Sequence, residues 1–136
     1  MLDLACFLYS STGRIAEFDS DCEDILTVAT QRNAELGLTG LLHCEEGMFF
    51  QWLEGPPDAV AMMRETICRD PRHTGVRVLA EGPIDERKFA AWSMRKSTRA
   101  DGSVLDWLAD REVSLRNLRD YAQELLVFMQ TRILAI

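Results

Sequence analysis

A chain of 136 residues is the length of one domain, and with 47% hydrophobic residues it can bury a core without disulfides. The formal net charge of −7 and pI near 4.8 argue against the basic face a nucleic acid needs and against binding to an anionic membrane. No apolar run reaches the roughly 20 residues of a membrane span, and no signal peptide opens the chain, so the expected compartment is the cytoplasm. Cys6, Cys22, Cys44 and Cys68 are too widely spaced for a CxxC pair or a zinc pattern. His43 and His73 are too few for a metal site or a triad, so no metal is expected.

Leu2–Tyr9 forms a first strand, with Ala5, Phe7 and Tyr9 on one face and Leu4, Cys6 and Leu8 on the other. Ser10-Ser11-Thr12-Gly13 is expected to end it. Ser20-Asp21-Cys22-Glu23 fits a capping box. The helix it opens carries Ile25, Leu26, Val28, Ala29 and Leu36 on its apolar stripe and stops at Gly37. Leu38–Cys44 is a second strand, and Glu45-Glu46-Gly47 turns it into a third, Met48–Gly55. Pro56-Pro57-Asp58 opens a second helix with Val60, Met63 and Ile67 inward. Asp70-Pro71 ends it, because the residue before a proline avoids helical geometry. Val76–Leu79 begins a fourth strand that runs towards Gly82-Pro83. Phe89–Met94 is either a fifth strand or an irregular extended segment, with Trp92 and Met94 on one side. Val104–Ala109 is a short helix. Ser114 to about Leu134 is a longer one, striped by Leu118, Tyr121, Leu125, Phe128, Met129 and Ile133.

The order β-α-β-β-α-β predicts an α+β fold, a ferredoxin-like sheet with an added fifth strand. Both early helices cover one face of that sheet. The C-terminal helices have only the opposite face to cover. Residues 1–96 are expected to form the core and 97–136 a helical cap.

The third strand sits at the centre of this arrangement. Phe49, Gln51 and Leu53 share one face, and Met48, Phe50 and Trp52 the other. Both faces are largely apolar, as in a strand covered on both sides. Gln51 is the residue out of place, because a buried primary amide has donors and an acceptor to satisfy. Tyr9 on the neighbouring first strand and Asn33 on the inward stripe of the first helix point into the same slot. These three either satisfy one another and nearby backbone groups, or line a ligand pocket. Asp70-Pro71-Arg72-His73 lies beside the slot. It is either a solvated helix end or a place where Arg72 or His73 meets an anionic or carbonyl-bearing ligand. Trp92 and Met94 first suggest core.

Together these residues resemble the BLUF family, the blue-light sensors that use FAD. The resemblance covers residues 1 to 96. It rests on Leu8-Tyr9-Ser10-Ser11, Asn33-Ala34-Glu35-Leu36-Gly37-Leu38-Thr39-Gly40, Gly47 to Gly55, Asp70-Pro71-Arg72-His73, and Arg87-Lys88-Phe89-Ala90-Ala91-Trp92-Ser93-Met94, in the family's order and spacing. It implies a noncovalent flavin between the two helices, FAD with FMN as the alternative. Tyr9 matches the redox-active tyrosine, and Gln51 the switching glutamine between it and the flavin's O4/N5 edge. Asn33 matches the asparagine that holds the ring. Ser11, Ile25, Leu53, Asp70, Arg72 and His73 complete the cofactor-binding set, with Arg32 where some members carry His or Asn. Trp92 and Met94 match a photoactive pair whose position near the glutamine differs within the family.

The resemblance also implies the mechanism. Tyr9 gives an electron and then a proton by way of Gln51, the amide reorients or tautomerises, and the absorption shifts to the red. No substrate is transformed, so the expectation is a receptor, not an enzyme. The change would pass through the Trp92–Met94 segment and the C-terminal helices to a separate partner protein, with self-association the other expectation for the apolar last helix. Two rival readings remain at this point. One is a ferredoxin-like acyl-phosphate hydrolase using Arg72 and Asn33, with Ser10-Ser11-Thr12-Gly13-Arg14 as a faint phosphate loop. The other is a small-molecule-binding or interaction module without photochemistry.

Overall fold

The computed structural model describes residues 3–111 and 117–133. Five strands form one sheet: β1 (Leu4–Gly13), β2 (Thr39–Glu45), β3 (Met48–Gly55), β4 (His73–Ile84) and β5 (Arg95–Thr98), in the order β4-β1-β3-β2-β5. The first four are antiparallel neighbours in the ferredoxin-like order, and β5 adds to β2 in parallel. Helices α1 (Phe18–Leu36) and α2 (Pro57–Arg69) cover one face; α3 (Val104–Asp110) and α4 (Leu118–Phe128) cover the other.

The alternation along the central strands builds two separate cores. Phe7, Tyr9, Leu42, Cys44, Phe49 and Leu53 pack under α1 and α2 with Ala29, Val60 and Met63. Leu8, Leu41, Phe50 and Trp52 pack under the C-terminal helices with Val104, Leu108, Leu125 and Phe128. A period of two in the strands meets a period near 3.6 in the helices on each side.

Several boundaries differ from the sequence reading. β1 does not end at Ser10; it continues through Gly13, because Ser11 and Thr12 pair with Phe49 and Met48 of β3. Serine reads as a loop former, yet Ser11 is buried and its hydroxyl has a partner in His73. α1 starts at Phe18, after a 3-10 turn at Ile15–Glu17, and not at a Ser20 capping box. Ser20 donates to the Glu17 carbonyl, and Asp21 is held by the Arg14 guanidinium. Gly37 closes the helix in the left-handed region at φ 72°, as expected. β4 starts at His73, three residues before Val76, so His73 belongs to the sheet and not to a loop.

The fifth strand is Arg95–Thr98; residues 89–94 are the irregular segment before it. That segment crosses close to β2, where the Gly40 N–H donates to the Trp92 carbonyl. Gly40 also lies so near the Trp52 carbonyl that a Cβ there would stand 2.1 Å from the oxygen. The last helix begins at Leu118, capped by Asn117, and passes into a π-helical turn at Met129–Ile133. The expected start at Ser114 and end at Leu134 lie outside the described residues.

Candidate functional site

The slot lies between α1, α2 and the centre of the sheet, a narrow cleft enclosing about 50 Å³. Tyr9 and Gln51 face each other across β1 and β3 in direct register. Tyr9 donates its phenolic O–H to Gln51 Oε1 at 2.6 Å. Burial pushes the Tyr9 phenol well above its ordinary range, so it stays protonated and acts as the donor. The other end of the amide is loosely held: Gln51 Nε2 lies 3.9 Å from Met94 Sδ, a weak acceptor. The two ends of Gln51 are therefore bonded with very unequal strength.

Asn33, on the inner face of α1, donates from Nδ2 to the Ser93 carbonyl at 2.8 Å. Its Oδ1 has no partner. Asn33 Oδ1 and Arg32 Nε are the two buried side-chain polar atoms without a hydrogen-bond partner among the described residues, and both residues line this slot. An orphan acceptor beside an orphan donor is unfavourable in a finished core and suits a ligand that offers both kinds of group. On the opposite wall, Arg72 grips Asp70 through Nε and Nη2, with its backbone N–H adding a third bond. Burial works against the Asp70 charge, but these bonds hold its carboxyl below the usual carboxylate range. His73 is fixed at both ring nitrogens. The Ile67 carbonyl can only accept, so Nε2 carries a proton, and Nδ1 meets the Ser11 hydroxyl at 2.7 Å.

Of the residues named from sequence, Tyr9, Ile25, Arg32, Asn33, Gln51, Leu53, Asp70, Arg72 and His73 all line the cleft. Ser11 does not line it; it stands behind His73. Trp92 and Met94 are not on one side. Met94 is buried in the core under α1 and α2, beside Gln51. Trp92 turns to the opposite face, stacked on Phe89 at 6.1 Å with the Arg95 guanidinium over its ring. Their segment is irregular, so strand alternation does not govern which way each side chain points. Sequence reading missed Val28 as a rim residue, 52% exposed, and did not place Met63, Thr66 and Ile67 in the wall. Their α2 stripe was visible, but which side of it faces a ligand depends on helix rotation. The rival phosphate loop is absent, because Ser10–Gly13 is strand. No group of three or more metal-ligating side chains is found among the described residues. No helix there is long and apolar enough to cross a membrane.

Comparison with known proteins agrees with this geometry. Residues 4–95 match the family model for sensors of blue light using FAD. The chain is 32% identical over 137 residues to the blue light- and temperature-regulated antirepressor BluF of Escherichia coli K12, covering 97% of this chain and 33% of that protein. It is 43% identical over 79 residues to photoactivated adenylate cyclase subunit beta of Euglena longa, covering 57% of this chain and 9% of that protein. The chain thus spans only a small part of these curated relatives. Among solved structures, the dark state of the BLUF protein BlrB superposes with a TM-score of 0.75 at 29% identity, covering 93% of this chain and 98% of that one. The ground state of BlsA gives 0.77 at 28%, covering 91% and 88%. The chain belongs to the BLUF family, sensors of blue light using FAD.

Proposed function

We propose that the Tyr9–Gln51 hydrogen bond is the light-sensitive element, and that its change leaves the domain through residues 93–98. The slot fits a flavin, whose ring carries an imide N–H for Asn33 Oδ1 and acceptors for Arg32 Nε. Tyr9, Ile25, Arg32, Asn33, Gln51, Leu53, Asp70, Arg72 and His73 would hold it, with Ser11 fixing the His73 ring from behind. FAD, or FMN in its place, supplies the absorption of blue light and a redox partner for Tyr9.

The chain's own residues do the rest. Tyr9 begins as a protonated phenol with its O–H on Gln51 Oε1. Removing an electron from a phenol makes its O–H strongly acidic, and Gln51 is the group placed to receive and relay that proton. A primary amide then has two arrangements of nearly equal volume, because its donor and acceptor ends fill the same space. Turning or tautomerising it exchanges what Tyr9 and Met94 are offered. The weak Met94 contact makes the exchange inexpensive on that side.

The observation that carries the output route is that both slot amides touch one short segment. Asn33 bonds the Ser93 carbonyl, and Gln51 touches Met94. β5 follows at once and reaches through the sheet. Ser97 bonds His43 Nδ1 on the far face, His43 Nε2 bonds Glu45, and Glu45 accepts from Ser103 and the Val104 N–H at the start of α3. We assign residues 1–96 to the flavin-binding core and 97–136 to the cap, so that β5 straddles their joint. The partner is a separate effector protein, with a second copy of the chain as the other candidate, and neither a nucleic acid nor a membrane. A cytoplasmic location is supported by four free cysteines.

The test is an absorption spectrum of the FAD-loaded chain before and during blue illumination. The flavin bands should move to longer wavelength and return in the dark. Bands that stay fixed, or a chain that takes up no flavin, would contradict the reading.

A further inference from the structure

We propose that Cys22 and Cys44 are a modification site: a dithiol that hydrogen peroxide oxidises to an intrachain disulfide, tying α1 to β2. The chemistry of the flavin slot does not enter this inference.

Three observations meet at the pair. First, the two thiols are already partners. Cys22 lies on the inner face of α1 and Cys44 in β2, and their side chains hydrogen-bond to each other in the core under the helices. Both are free and buried. The other two cysteines stand elsewhere: Cys6 packs on the opposite face of the sheet, and Cys68 is exposed on α2.

Second, the pair is not sealed. Cys22 and Cys44 both line an open groove of about 330 Å³, with Phe18, Lys96, Thr98 and Arg99 around it. A water takes up about 30 Å³ of liquid, so a peroxide has room to enter. Third, the two sulfurs are unequal. The hydrogen bond from Cys44 favours the Cys22 thiolate and burial opposes it. The Lys96 ammonium favours it again, against weaker opposition from Asp19 and Asp21, and the balance lowers the Cys22 pKa. Cys44 moves the other way, raised by its bond to Cys22 and then by burial. Glu23 holds Lys96 beside the groove. A thiolate near a cation is the nucleophilic form, and a protonated thiol in contact with it is placed to resolve the oxidised sulfur.

The Cys22 thiolate attacks one peroxide oxygen. An S–O bond forms, the O–O bond breaks, and the hydroxide that leaves takes up the proton Cys22 gave away. The Cys44 sulfur then attacks the sulfenic sulfur of Cys22. The S–S bond forms, the S–O bond breaks, and the leaving hydroxide takes the Cys44 proton. Two thiols and one peroxide become one disulfide and two waters.

The test uses the full chain with its bound flavin, kept in the dark so that light adds no oxidant. It is treated with hydrogen peroxide, denatured, alkylated and mapped by mass spectrometry. Two of the four thiols should be lost, and a cross-linked peptide should join Cys22 to Cys44 and vanish on reduction with dithiothreitol. Cys22→Ser should keep its remaining thiols free at the same dose. Cys44→Ser should stop at the sulfenic acid on Cys22, trapped as its dimedone adduct. Cys68→Ser should lose the same two thiols as the wild type. Four free thiols after a dose that fully oxidises free glutathione would overturn the inference. Oxidation confined to Cys68, or a cross-link between two chains, would overturn it as well. If a serine variant does not fold, the peptide map of the wild-type chain still decides.

Discussion

The two faces of the central sheet both bury polar groups, but they treat them in opposite ways. Under the C-terminal helices, Glu54 accepts from Trp52 Nε1, the Thr39 hydroxyl and the backbone N–H groups of Lys88 and Phe89. Glu45 on the same face accepts from His43, Ser103 and the Val104 N–H, with Arg99 at 3.6 Å. Both carboxylates are surrounded by donors and tie a strand to the segment beyond it. Under α1 and α2, Asn33 Oδ1 and Arg32 Nε have no partner, and Gln51 is firmly bonded at one end only. A buried polar group with every site filled acts as a fastener. One with a site left open marks where a ligand or a change of partner belongs.

Breaking a fastener should have the largest effect. Glu54→Ala strands several buried donors and should cost about 3 kcal/mol of stability, read by urea denaturation. Emptying the open site should do the reverse. Asn33→Ala should weaken flavin binding about tenfold in a titration, yet cost the flavin-free chain only about 1 kcal/mol, for the bond to Ser93. Met94→Leu keeps the volume but removes the sulfur facing Gln51 Nε2. It should keep the red shift and slow the dark return about threefold, measured by the decay of the shifted band. Trp92→Phe should leave that decay within about twofold, since Trp92 lies on the other face. A strong effect of Trp92→Phe with none from Met94→Leu would reverse their placement.

Acid should act on the fastened face. Burial lowers the His43 pKa below its ordinary 6.5, with Glu45 opposing only in part. The unfolded chain therefore binds a proton that the folded chain does not, and stability falls as pH drops below about 6.5. Glu45 follows: burial works against its charge, but His43, Ser103 and the Val104 N–H hold its pKa below 4.5, so its contribution is lost on further acidification. Replacing His43 with Gln should remove the first part of that loss in a series of melts at falling pH.

Much of this division was legible in the sequence. Alternation in Met48–Gly55 placed Gln51 and Trp52 on opposite faces, and the topology brought Tyr9, Asn33 and Gln51 together. The family resemblance supplied the flavin, which no composition or periodicity could. What escaped were features that depend on tertiary partners. Ser11 continues a strand because His73 is there to bond it. Trp92 and Met94 part company because their segment follows no regular period. Glu45 reads as a turn residue and Glu54 as an ordinary strand position, and only the structure brings residues 88–89 and 103–104 over them.

The most direct test compares the wild-type chain with Gln51→Leu, both loaded with FAD, under blue light. Leucine fills a similar space but has neither a donor nor an acceptor end. The wild-type spectrum should shift to the red and recover in the dark, while Gln51→Leu keeps its flavin bands and shows no shift. A normal, reversible red shift in Gln51→Leu would contradict the assignment of the switch to this amide.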